Sequence, residues 1–273
     1  MSRPRILRYR VCGQSAELEV RDTGLVEPVR ALFPDYESEA DTAAGPVRLV
    51  VDVAEDGYAV VDAHGVRSHA ATLTQLLATC EFALAQVFLS GCREHAQLHA
   101  SGAVVEGSAV LALGRAGAGK SSLAVSWHRM GYAALGDDVV FVDETGRAQP
   151  FKRLYKVDAA TLAQLGVDPA ETCLWEPGSD EAWYDPRDGA GWGEPVPVAL
   201  VAVVTYRPKA ALSITPLSRA AALNALVHSQ MAGTRDRRDR FEALAHVAEH
   251  AEALKVTFGS AAEAAAGLAA RAP

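Results

Sequence analysis

The sequence predicts an α/β fold built on a mixed sheet and preceded by a small α+β unit. Three observations carry this. A short apolar run at 108–113 ends in a glycine-rich loop, followed by an amphipathic segment and a second apolar run at 132–135. Strand, loop, helix, strand is how a parallel α/β sheet begins. Earlier, Val47, Leu49, Val51 and Val53 alternate with Arg48 and Asp52, the period of a half-buried strand. Finally, 273 residues that are 49% hydrophobic and 22% charged can build a sizeable core and are too apolar for a disordered chain.

The first unit is placed at 1–93. Residues 58–61 follow the turn Glu55-Asp56-Gly57 and pair with the run before it as a hairpin. A helix is predicted over 72–89, where Leu73, Leu76, Leu77, Cys80, Leu84, Val87 and Phe88 recur three and four apart; Phe82 falls off that stripe.

The second unit is placed at 94–273. After the strand at 108–113, Leu123, Ala124, Trp127 and Met130 mark a helix over 121–130. Residues 139–142 and the turn Asp143-Glu144-Thr145-Gly146 predict another hairpin. The stretch 174–197, rich in Gly, Pro, Trp and acids, reads as a long loop. Its Trp175, Trp183, Tyr184, Arg187 and Trp192 are expected to pin it to the core rather than form a peptide-binding lid. A strand at 198–206 and a helix at 218–231 follow. The charged run at 234–240 reads as a self-paired solvated helix face, and a further helix reaches 251. A strand at 254–258 and an Ala-rich helix complete the chain.

Charge bounds the partners. A net charge of −8 gives no long-range attraction to nucleic acid, which is excluded as a partner bound through its phosphates, but leaves room for one nucleotide held by local positive charge. Cys12, Cys80, Cys92 and Cys173 form no CxxC pair and are expected to be free thiols of a reducing compartment. Met1-Ser2-Arg3-Pro4-Arg5 is not followed by the apolar run of a signal peptide, and no apolar stretch approaches the length of a membrane span. The expectation is a cytoplasmic protein without a membrane partner.

Gly114-Arg115-Ala116-Gly117-Ala118-Gly119-Lys120-Ser121 fits G-x-x-x-x-G-K-[ST] in full. Glycines let the backbone turn its N–H groups inward, and those groups with the helix N-terminus behind them present positive charge to phosphate oxygens. Gly117, Gly119 and Lys120 would hold the phosphates, with Ser122 just beyond, and Ser121 would offer its hydroxyl to Mg²⁺. The pattern points to ATP with Mg²⁺. Asp137 and Asp138 close the next strand, and carboxyl ends of parallel strands share one edge of a sheet. One of the pair could hold the metal and the other take a proton from an attacking hydroxyl. His99, ahead of the loop's strand, could approach the same carboxylates and orient the base. Phe151-Lys152-Arg153, with Lys156, could bring positive charge to the γ-phosphate or could be a solvated basic strand.

His99, the loop at 114–121 and Gly136-Asp137-Asp138 together resemble the catalytic domain of HPr kinase/phosphorylase, whose nucleotide site is similar to that of phosphoenolpyruvate carboxykinase. The resemblance covers residues 97–145. It implies that Asp137 is the catalytic base, that Asp138 helps hold the metal and that His99 supports Asp137. Ser122 stands where the family often has an acidic residue, and the family's C-terminal Glu-x-Arg-Gly segment is absent, so a dephosphorylating activity is not carried over. The whole chain looks more like the HPr-kinase-related proteins found beside peptide-modifying genes, including kinases of lasso-peptide precursors. The expected acceptor is therefore a serine, or a threonine, on a protein or peptide. The first unit, with no cluster of catalytic groups, is expected to recognise that acceptor. A regulatory or scaffold protein with weak ATPase activity and a small-molecule kinase are the alternatives; the intact acidic pair favours transfer, because simple binding needs no base. A homo-oligomer is left open.

Overall fold

Cys12 and Gly13 both take positive φ, 46° and 77°, and this two-residue turn folds β1 (Arg5–Val11) back on β2 (Gln14–Val20). Two positive φ values in succession match the right-handed twist of a hairpin. The structure, a computed structural model, describes residues 3–38, 47–62, 64–171, 174–231 and 237–272. After the short helix α1 (Val26–Arg30), β3 (Val47–Ala54) joins β2 in parallel and pairs with β4 (Gly57–Val61) in the predicted hairpin; β5 (Arg67–Ala70) completes a five-stranded sheet.

Helix α2 (Leu73–Gly91) lies on that sheet. Thr72 caps it by accepting from Gln75 N–H at 3.2 Å, and Gln97 closes its other end by donating to the carbonyls of Leu89 and Cys92. Contrary to expectation, one stretch does reach the length of a membrane span: α2 has 19 residues with a mean hydropathy of 1.3. It buries Leu76, Leu77, Cys80, Leu84 and Phe88 against the sheet, so here its apolar character serves the core.

A second correction concerns the cysteines. Cys12 and Cys92 form a disulfide that ties the first hairpin to the end of α2, while Cys80 is a buried thiol and Cys173 lies outside the described residues. Two of the thiols on which the expectation of a reducing compartment rested are therefore paired. The bond spans 80 positions, and closing a loop of that size restricts the unfolded chain by about 4 kcal/mol. Reduction is expected to lower the melting temperature by on the order of 10 °C, at about 2–4 °C per kcal/mol. Thermal scans with and without a thiol reductant check this. The reductant should act on the parent and leave Cys12→Ser, which melts lower from the start, unmoved.

The second sheet is nine-stranded among the described residues. Its strands are β6 (Ala96–Leu98), β7 (Ala100–Val105), β8 (Ser108–Leu113), β9 (Ala133–Gly136), β10 (Val140–Val142) and β11 (Arg147–Pro150), later joined by β15 (Val196–Tyr206), β16 (Ser213–Pro216) and β17 (Glu252–Phe258). Helix α3 (Lys120–Arg129) connects β8 to β9. The sheet is mixed: β15 runs parallel to β8 and to β17, and the other pairings are antiparallel.

The stretch at 174–197 is not one long loop. β12 (Tyr155–Asp158) precedes α4 (Ala159–Gln164), and β13 (Leu174–Trp175) and β14 (Glu181–Tyr184) fold back onto β12 as a three-stranded sheet. The tryptophans do pin it: Trp183 is buried, and Trp192 donates to Asp35 at 3.0 Å. Helices α5 (Arg219–His228), α6 (Arg237–His250) and α7 (Ala261–Ala269) finish the chain. In α6, Arg238 pairs with Glu242 one turn on; part of the expected charged run, at 234–236, lies outside the described residues.

The core crosses the boundary placed at residue 93. Tyr9, Phe33, Leu84 and Phe88 share one apolar cluster with Phe141, Phe151, Leu154 and Trp183.

Candidate functional site

Strand β7 explains how distant segments reach one edge. It lies between β8 and β9 and is antiparallel to both, so the carboxyl ends of β8 and β9 point the same way, with the start of β7 between them. Ala100 pairs with Leu113, and Ala100 N–H donates to the carbonyl of Asp138 at 3.2 Å. His99, the loop at 114–119 and the Asp137-Asp138 pair therefore meet at one edge, as the sequence predicted.

The loop turns on Gly119, which caps α3 with φ 90°, where a Cβ would meet the Phe258 ring at 2.6 Å. Only glycine suits both that conformation and that contact. Lys120 is the first residue of α3. Its buried side chain donates to the carbonyls of Gly114 at 3.0 Å and Arg115 at 3.4 Å. Burial lowers its pKa, with Asp138 and Asp137 opposing the shift.

Residues 116–122 line a cleft of about 830 Å³, a volume suited to a nucleotide. Gly114 and Arg115 contribute instead the carbonyls that hold Lys120. Tyr206, Phe258 and the N-terminus of α7 line the same cleft, so two helix N-termini face one space. Their partial positive charge adds to that of Lys120.

Gly136, at φ 151°, lets the chain bend so tightly that a Cβ there would sit 2.2 Å from the Val139 carbonyl. The bend sends the two aspartates to different environments. Asp137 is 3% exposed; burial pushes its pKa up to about 7 although Arg153 pulls the other way. Asp138 is half-exposed. Burial works against its ionisation, but the His99 hydrogen bond, Arg153 and Lys120 outweigh it and hold its pKa down to about 2.

The partners differ from those expected in one respect. His99 Nε2 lies 2.7 Å from Asp138 Oδ1, so the histidine supports Asp138 rather than Asp137. Arg153 is not on a solvated strand. It is buried, at 3.2 Å from Asp138 and 3.5 Å from Asp137, and its other nitrogen donates to Glu81 of α2. Arg153 thus bridges three carboxylates, and Lys156 is held by Glu181 at 3.0 Å. Arg153 faces a second cavity of about 400 Å³, which meets the large cleft at Ser121, Asp138 and Lys156.

Ser121 and Asp138 stand at that junction and fit a hard divalent cation. Both present oxygen, Asp138 is ionised, and Mg²⁺ bound beside phosphates needs only one or two protein ligands.

Glu81, Tyr206 and Phe258 were not anticipated. Tyr206 and Phe258 are register partners at the ends of β15 and β17, which run parallel to β8 and so finish at the same edge. The signal was the last residue of each apolar strand, readable once the strand order is known. Glu81 carries no such mark, because a charge on the half-buried side of a core helix looks like any other. No protein-family model matches the chain, and no curated protein is significantly similar to it.

Proposed function

We propose that this chain is a kinase that transfers the γ-phosphoryl group of ATP to a serine or threonine hydroxyl on a protein or peptide. In this reading residues 114–121 are a P-loop, and the mixed sheet is the HPr-kinase-like nucleotide fold that the sequence resembles. The supporting observation is the meeting of Lys120, Ser121, Asp138 and His99 at one sheet edge around a cleft of nucleotide size, with Asp137 at the same edge on the adjoining cavity.

The roles follow from charge and burial. The loop N–H groups, the two helix N-termini and Lys120 hold the triphosphate. Ser121 and Asp138 would hold Mg²⁺, which when bound draws charge from the phosphate oxygens. His99 and Arg153 keep Asp138 ionised for that task. Asp137, whose pKa burial pushes up to about 7, accepts the acceptor's hydroxyl proton. The acceptor oxygen forms a bond to the γ-phosphorus, the bond from that phosphorus to the bridging oxygen breaks, and ADP leaves with the bond's electron pair.

ATP with Mg²⁺ is expected to raise the melting temperature, since binding at a hundredfold excess over Kd stabilises the native state by about 2.7 kcal/mol. Lys120→Ala should remove most of that rise. An undiminished rise in the variant would place the nucleotide elsewhere. Transfer itself is tested with γ-labelled ATP and serine peptides read by mass spectrometry; release of phosphate with no labelled peptide would favour a plain ATPase.

A further inference from the structure

The second cavity is lined by none of residues 114–120 of the glycine loop, yet it shares Asp138 with the large cleft and opens onto Asp137 as well. In-line transfer brings the acceptor to the γ-phosphorus from the side opposite the leaving ADP. The large cleft holds the glycine loop and both helix N-termini. The smaller cavity leads away from the shared Ser121 and Asp138 toward α2, and Asp137 lines it and not the large cleft.

Its walls have a definite chemistry. Phe82 stands on its rim, 65% exposed and the most exposed large apolar side chain among the described residues. It sits on the face of α2 turned away from the core stripe, which is why it fell outside the helical pattern. A lone exposed apolar residue is ordinary. This one continues inward into Ala85, Leu89, Val139 and Met231, so the exposed ring is the lip of an apolar wall. Met231 is held there by its N–H donating to Gln97 at 2.9 Å.

The charged part of the lining is mostly acidic. Glu81, Asp137, Asp138, Asp158 and Glu181 line the cavity against two cations, Arg153 and Lys156. Both cations are committed to carboxylates, Arg153 to Glu81 and the aspartate pair, Lys156 to Glu181. At about 400 Å³ the space takes a short stretch of chain rather than a folded surface.

We propose that this cavity is the acceptor pocket, and that it takes an extended peptide segment whose serine or threonine is flanked by a large apolar side chain, seated against Phe82, and by a lysine or arginine facing the acidic part of the lining. The proposal rests on the kinase reading for its purpose and on the cavity's own walls for its specificity.

Fluorescently tagged serine peptides test both parts. One carries Leu and Lys beside the serine, one Gly and Lys, one Leu and Glu. Anisotropy titrations measure binding without any need for turnover, and γ-labelled ATP measures transfer in parallel. The Leu–Lys peptide should bind the parent about tenfold more tightly than either of the others. Phe82→Ala should erase the advantage of Leu over Gly, and Phe82→Leu should restore most of it. In transfer assays the loss in Phe82→Ala should fall on KM more than on kcat. Selective binding that depends on Phe82 but yields no labelled peptide would uphold the pocket and sink the kinase reading. Transfer that is indifferent to residue 82 and to the flanking residues would do the reverse. If no peptide binds the parent, the pocket assignment is wrong.

Discussion

Asp137→Asn is expected to lower phosphoryl transfer by about 10² to 10⁴, the contribution of a positioned base, while leaving nucleotide binding in place. Asparagine keeps the shape of the side chain and still hydrogen-bonds, but it accepts no proton at neutral pH. The site should tolerate the change. Arg153 loses only its longest ion pair, 3.5 Å, and keeps Glu81 and Asp138. Relieving the burial of a carboxyl whose pKa is already pushed up to about 7 costs little stability. Affinity for ATP rests on Lys120, the loop and the metal, none of which the substitution removes. Asp138→Asn should behave differently. It takes the ionised partner from His99 and an oxygen ligand from the cation, so the Mg²⁺ requirement should weaken together with the rate. The measurement is kcat on a phosphorylatable peptide together with nucleotide Kd for both variants. If Asp137→Asn retains more than about a tenth of the rate, Asp137 is not the base. Lost nucleotide binding in Asp137→Asn would mean that the aspartates exchange roles.

Removing Glu81 should destabilise the protein by about 3 kcal/mol, the lower end of the cost of breaking a buried ion pair. Arg153 is 6% exposed and strongly desolvated, and Glu81 first, then the two aspartates, offset the burial of its charge. Without Glu81 its full charge turns to Asp137 and Asp138, so the acidic pair is altered along with the fold. Glu81→Ala is therefore expected to melt about 6–12 °C lower, at 2–4 °C per kcal/mol, and to transfer phosphate more slowly. The double variant Glu81→Leu, Arg153→Met replaces the pair by apolar groups of similar bulk and should recover much of the stability. It should not recover the rate, because Asp137 then lies buried without its Arg153 partner. Calorimetry and peptide phosphorylation on the same samples separate the two effects. A Glu81→Ala protein as stable as its parent would show that the bridge from α2 to the site does not form in solution.

That bridge changes the part assigned to the first unit. Residues 1–93 hold no catalytic cluster of their own, yet α2 supplies the partner of Arg153 and one wall of the cavity beside Asp137. The aromatic cluster of Phe33, Phe88, Phe141 and Phe151 joins the same two parts in one core.

What the sequence determined by itself was local. The strand at 108–113 was placed to the residue, and the loop, its helix and the hairpins at 55–57 and 143–146 were placed nearly so, because periodicity, glycine and turn chemistry act within a few neighbours. The first hairpin was not among those placed, although Leu7, Tyr9 and Val11, then Ala16, Leu18 and Val20, alternate with polar residues. The convergence of Lys120 and the aspartates needed only one rule about strand ends, whereas His99 joins them because β7 runs antiparallel between β8 and β9. Tertiary structure alone decided the rest. The short strands β12, β13 and β14 have too few residues for a period to show, and β12 owes its pairing to a partner more than 20 residues away in β14. At Asp137 and Asp138 the direction of each side chain depends on a bend at Gly136, not on a repeating pattern, so which carboxyl is buried and which meets His99 could not be read in advance. Glu81 and Phe82 are adjacent on one helix, and only the packing of α2 against the second sheet turns one toward Arg153 and leaves the other on the rim of the second cavity.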